Sequence, residues 1–334
     1  MTKQTRYFLT GSALVLSLGL GTGLVAYYKG DLQLFRAQVG PEELAYVPAD
    51  VSGLAYANVR EIMDSEFRQK LREVLPTGQG QDEFLDETGI DIERDIQSVV
   101  AAVSASDPAA HPLVLIRGIF DEPRIELMVK QHNGTVEMYK GKRLMMLGSP
   151  AEGHGNSSSL AFPETGLAMF GTAAAIRQAI DTRETRTNVR ENAALMKLVG
   201  DLHGMGNSAW AVGSLDGVSK NPSVPQQVRD QLPGIEWVAI SAQVNGGVSG
   251  RFKAQAKDDQ AATDLRAVVN GALAAGRLMG GNNPQFEPFL NSIQVSGGGK
   301  DVELAFNLPP AMLDMIGAMA GPKRAPDAPR MLLN

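Results

Sequence analysis

Hydrophobic and polar positions alternate along this chain in three distinct ways. From Tyr7 to Tyr28 the sequence YFLTGSALVLSLGLGTGLVAYY holds no charged residue. A helix of about 20 such residues spans the hydrocarbon core of a bilayer, so the stretch is expected to be a transmembrane anchor. It is longer than the apolar run of a signal peptide, and no A-x-A cleavage pattern follows it. Lys3 and Arg6 precede it, while Lys29 and Asp31 follow, which predicts a cytoplasmic N-terminus and an exported body.

Beyond the anchor the periodicity changes repeatedly between two and 3.6 residues. Strands are expected at 53–59, 96–103 and 113–120, the last nearly continuous in apolar character and therefore buried on both faces. Met63, Phe67, Leu71 and Val74 recur at helical spacing, and 82–89 reads as a short helix closed by Gly89. Asp121 and Pro123 open a helix over 122–132, and Thr172 caps another carrying Ile176, Ala179 and Ile180. Between them lie hairpin strands at 135–139 and 143–147, a polar Gly-rich loop at 148–159, and short strands at 160–162 and 167–170. A further helix carries Leu195, Leu198, Val199 and Leu202.

The plan then restarts. A strand at 209–215 precedes a short helix at 225–232, a hairpin of 237–244 with 248–256, a long amphipathic helix over 259–279 and a hairpin of 293–296 with 302–308. Pro309 and Pro310 open a last helix with Met312, Leu313, Ile316 and Met319 inward. The expected fold is therefore α+β: an N-terminal transmembrane helix followed by two similar, mostly antiparallel sheet units with helices packed on one face. The expected organisation is an anchor at 1–30, a connector at 31–48, units at 49–190 and 191–320, and a disordered Pro-rich tail at 321–334.

Composition narrows the functional classes. A net charge of -6 argues against a phosphate-binding surface, so nucleic acid is not an expected partner. The chain has no cysteine, which removes disulfides, thiolate metal sites and cysteine nucleophiles together. The histidines His111, His132, His154 and His203 lie at no metal-ligand spacing, and neither G-x-S-x-G nor S-x-x-K occurs. The carboxylates Asp82, Glu83, Asp86, Glu87, Asp91, Glu93 and Asp95 do not reproduce a calcium loop and read as caps and a solvated helix face. Neither a cofactor, a metal nor a catalytic set is expected.

Within the anchor, Gly19 and Gly23 form a G-x-x-x-G, and Ser17 with Gly21 a second small-residue pair turned around the helix. Small side chains let helix backbones approach closely in lipid. The expected contacts are thus the bilayer and other membrane subunits, or a second copy, through Ser17, Gly19, Gly21 and Gly23. The expected role is a non-catalytic accessory or scaffolding subunit of a membrane complex in the bacterial inner membrane, with a periplasmic body. The competing readings are a tethered carrier or sensor of an apolar small molecule, based on the fourteen methionines, and a hydrolase without a recognisable motif.

The order of anchor, VPADVSGLAYANV at 47–59, ETGIDIERDI at 87–96 and RGIFD at 117–121 resembles signal-anchored bacterial envelope proteins of unknown function. The resemblance covers the first half of the body. It implies a strand near the anchor followed by an apolar hairpin, and it carries over no catalytic role.

Overall fold

The computed structural model describes residues 40–69, 79–106, 112–147, 158–214, 234–244, 247–280 and 287–308. The stretch 7–28 with Ser17, Gly19, Gly21 and Gly23, most of the 148–159 loop, the expected helix at 225–232 and everything from Pro309 onward lie outside them. Among the described residues no helix is long and apolar enough to cross a membrane.

The strands are β1 (Val51–Asn58), β2 (Ile96–Ser104), β3 (Leu113–Gly118), β4 (Thr135–Tyr139), β5 (Lys142–Met146), β6 (Ser158–Glu164) and β7 (Leu167–Thr172) in the first half. The second half supplies β8 (Ala209–Ser214), β9 (Ile235–Val244), β10 (Val248–Ala256), β11 (Gln294–Ser296) and β12 (Asp301–Leu308). The helices are α1 (Val59–Met63), α2 (Gln79–Thr88), α3 (Ile92–Asp95), α4 (Glu122–Gln131), α5 (Ala173–Thr185), α6 (Ala193–His203), α7 (Asp259–Gly280) and α8 (Glu287–Ser292). Two 3₁₀ turns, Glu42–Tyr46 and Val189–Glu191, complete the described elements.

Among these residues the strands form one 12-stranded sheet in the order β11-β12-β10-β9-β8-β1-β2-β3-β7-β6-β5-β4. All of its pairings are antiparallel. The expected antiparallel character holds, but the two expected sheet units are joined: one sheet runs through both halves. The join is made by β1 and β8, which pair from Gly53↔Gly213 through Leu54↔Val212 and Tyr56↔Trp210 to Ala57↔Ala209, while their other edges pair with β2 and β9. In each half three strands run as a meander, a helix follows, and the last strand returns beside the third, β7 beside β3 and β12 beside β10.

Helices on one face is the second expectation that fails. Successive residues of a strand point to opposite faces, and β3 is apolar in both phases. Leu113 and Leu115 enter a front cluster with Leu54, Val100, Leu144, Leu167, Met169 and Trp210. Ile176, Ala179 and Ile180 of α5, Leu195 and Val199 of α6, and Leu44 and Val47 at the first 3₁₀ turn close over it. Val114 and Ile116 point the other way, into a back cluster with Val59, Ile96, Val99 and Met63. On the back of the second half, Leu265 of α7 packs on Val238, Phe252 and Ala254.

The caps fall where the sequence places them. The Asp121 carboxylate accepts from the Arg124 amide at 3.1 Å, and the Thr172 hydroxyl from the Ala175 amide at 3.1 Å. The periodic run from Met63 is interrupted, however. The Ser65 hydroxyl donates to the Ile62 carbonyl at 2.6 Å and accepts from the Arg68 amide at 3.1 Å, so it ends one helical segment and caps the next.

Candidate interaction surface

Three places on the described body stand out as candidates. At the front edge of the first half, Arg117 of β3 lies among apolar neighbours and is held by two carboxylates. Its Nε donates to Glu43 at 2.8 Å and its Nη2 to Glu164 at 3.0 Å. Glu43 is only 5% exposed, so the pair compensates a charge taken out of water. The Tyr46 hydroxyl donates to the second Glu164 oxygen at 3.1 Å, and burial together with that carboxylate pushes its pKa up. Every partner is a neighbouring element of the same chain: the network bolts the first 3₁₀ turn to β3 and β6.

The second collection is on the exposed end of α5. The Tyr139 hydroxyl donates to Asp181 at 2.9 Å, and Lys140 lies 2.6 Å from Asp181 and 2.7 Å from Glu184. These bonds hold the Asp181 carboxyl below its usual range and raise Lys140, a surface network rather than a pocket.

The third is a shallow groove of about 300 Å³ where α2 meets α4. Glu87, Arg124, Leu127, Met128, Gln131 and His132 line it. Arg124 donates to the Asp86 carbonyl at 3.1 Å and ties the two helices together. Gly89 ends α2 at φ +74°, where a side chain would be strained and would also strike the Arg124 guanidinium. Ile125 and Val129 of α4 are buried, whereas Leu127 is 57% exposed. An apolar side chain on an open groove is suited to contact rather than to chemistry.

The histidines do not converge. His132 ends α4 on the back, its Nδ1 2.9 Å from the Met128 carbonyl, and His203 ends α6 on the front. His111 and His154 lie outside the described residues. The acidic run is used locally: Asp91 caps α3, Asp95 accepts from the Asp91 amide at 2.8 Å, and Glu93 pairs with Arg68 at 2.6 Å. Among the described residues no three histidine, aspartate or glutamate side chains gather as a metal site requires. Met145 and Met169 are core residues, while Met138 and Met205 are exposed.

Sequence reasoning missed the Arg117 network, although one signal was present. An arginine inside an apolar strand has to be paired, but its partners come from residues 43 and 164, far away along the chain.

The class defined by this architecture is a mixed α and β protein built on one large antiparallel sheet. No family model matches the chain, and no curated protein matches it. Among solved structures it bears a weak resemblance to TP0453, a Treponema envelope protein. Crystal form III aligns with a TM-score of 0.48 at 9% identity, covering 85% of this chain and 100% of that one. Crystal form IV aligns with a TM-score of 0.47 at 11% identity, covering 84% and 98%.

Proposed function

We propose that this protein is a single-pass, membrane-anchored interaction protein, a non-catalytic accessory or scaffolding subunit whose body lies on the periplasmic side of a bacterial inner membrane. The observation that carries the reading is the uncharged stretch from Tyr7 to Tyr28, with Ser17, Gly19, Gly21 and Gly23 on two faces of the expected helix. The anchor meets its partner subunit, or a second copy, through those small residues. Leu127 and the groove around it offer the body a second contact. The body is read as two copies of one unit, the similar strand order of the two halves being its support.

The test is gentle detergent extraction from native membranes, then sizing and mass spectrometry of whatever stays bound, with a Gly19→Leu, Gly23→Leu variant alongside. Stoichiometric co-purification that the variant loses is expected. A lone monomer in both samples overturns the proposal.

A further inference from the structure

Trp210 of β8 is 2% exposed, and its indole Nε1 donates to Nδ1 of His203 at 3.2 Å. An indole N–H can only donate, so His203 Nδ1 has to be the acceptor and the ring proton sits on Nε2. This is a hydrogen bond that a protonated imidazole cannot make. The Tyr56 ring closes the arrangement, edge-on to His203 at 5.1 Å and stacked on Trp210 at 5.7 Å. His203 is the last residue of α6, and the turn behind it bonds mainly to the helix end itself rather than to the sheet. Gly204 N–H bonds to the Gly200 carbonyl at 2.9 Å, Gly206 N–H to the His203 carbonyl at 3.2 Å, and the Asn207 side-chain amide donates to the Leu202 carbonyl, while Arg251 of β10 reaches the Met205 sulfur at 3.6 Å and the sheet is rejoined at Ser208.

We propose that His203 and Trp210 form a proton-operated latch: protonation of His203 breaks its bond to Trp210 and frees the end of α6 with the 204–207 turn from the sheet. The latch stands on this geometry and is independent of the membrane assignment. The titratable and charged groups around it are few. β8 contributes none, and β1 contributes Tyr56, whose hydroxyl is pushed up to about 12 by burial, then by Glu43 and Glu61. Lys197 and Asp201 lie on α6 itself, Arg190 and Glu191 on the 3₁₀ turn before it, and Arg251 of β10 reaches the Met205 sulfur. Burial lowers the His203 pKa from the ordinary histidine value, and a hydrogen bond that only the neutral ring can accept from Trp210 acts in the same direction. With the folded value depressed, the neutral ring stabilises the fold above about pH 6.5, and that contribution is lost as pH falls through the folded value.

The test is a pH titration of the ¹⁵N-labelled full-length chain in detergent. The two indole N–H resonances are followed, and a Trp237→Phe variant assigns them. The Trp210 signal is expected to keep a hydrogen-bonded shift at neutral pH and lose it in a one-proton transition below about pH 6.5. Amide exchange in 204–207 is expected to speed up with the same midpoint, against the intrinsic slowing that acid causes. His203→Gln keeps an acceptor that does not titrate, so its Trp210 signal stays unchanged. Should that variant fold poorly, Trp210→Phe serves instead, and the His203 ring protons then titrate closer to the ordinary value. A transition that persists in His203→Gln, a Trp210 resonance unmoved down to about pH 4.5, or an unshifted His203 midpoint in Trp210→Phe overturns the latch.

Discussion

The two halves of the sheet share a strand plan and differ in how they are covered. Around β2, β3 and β7 both faces are closed, and Leu115, Leu144, Met145, Leu167, Met169 and Ile176 are fully buried. From β10 to β12 the back is covered by α7, and the front carries Arg251, Lys253, Gln255, Asp301 and Glu303, none of them buried. Similar topology therefore does not give similar burial: most of the large, fully buried side chains among the described residues lie in the first half, where burial contributes most to holding the fold.

Truncating the core should expose the difference most clearly. Leu115→Ala removes a side chain with no exposure from a closed cluster and is expected to cost about 3 kcal/mol in denaturant unfolding. Leu265→Ala, on the half-buried face of α7, should cost about 1 kcal/mol. Equal costs would end the comparison.

Charge deletion should come next. Arg117→Ala leaves Glu43 buried without its cation and is expected to cost about 2 kcal/mol. Its counterpart in the second half is Lys253, 3.0 Å from Asp301 and 3.5 Å from Glu303, each about a third exposed. Lys253→Ala should cost under about 1 kcal/mol and lose even that in high salt. A salt-insensitive loss as large as that of Arg117→Ala would show that the open face is more strongly braced than its exposure implies.

Hydrogen exchange sharpens the comparison without mutation. Amides of β2 and β3 should exchange slowest and those of β11 and β12 faster, in opening events that leave the first half closed. The smallest effect is expected at the groove. Leu127→Ser should leave stability within about 0.5 kcal/mol of the parent chain, because that side chain is mostly in water already.

Much of the fold was legible as local pattern. Ile96–Ser104, Leu113–Gly118, the hairpin of β4 with β5, and the caps Asp121 and Thr172 lie within a residue or two of their expected positions. What the pattern missed is non-local. Periodicity tells a strand which residues share a face, not which strand will lie beside it, so the joining of β1 to β8 was invisible. The helical run through Phe67 concealed a break because Ser65 competes for backbone hydrogen bonds by geometry that spacing does not encode. On α7, Val268 is apolar at helical spacing from Leu265 but is 63% exposed, while Ala261, Ala262 and Leu265 make the packing on the sheet. Candidate chemistry was harder still. Arg117, Glu43 and Glu164 are adjacent only after folding, and Trp210 meets His203 only once β8 packs beneath the end of α6.

The joining of β1 to β8 also has a kinetic consequence. β1 can pair with β2 as soon as β2 exists, but its other neighbour is made about 150 residues later, which makes that contact among the slowest to close. Until then β1 stands with one edge unpaired, the kind of edge to which a second unfinished chain can add a strand. The seam that makes one sheet of two halves is thus where assembly of the monomer competes with assembly of the wrong dimer, and a chain stopped before Ala209 should aggregate where the finished one does not.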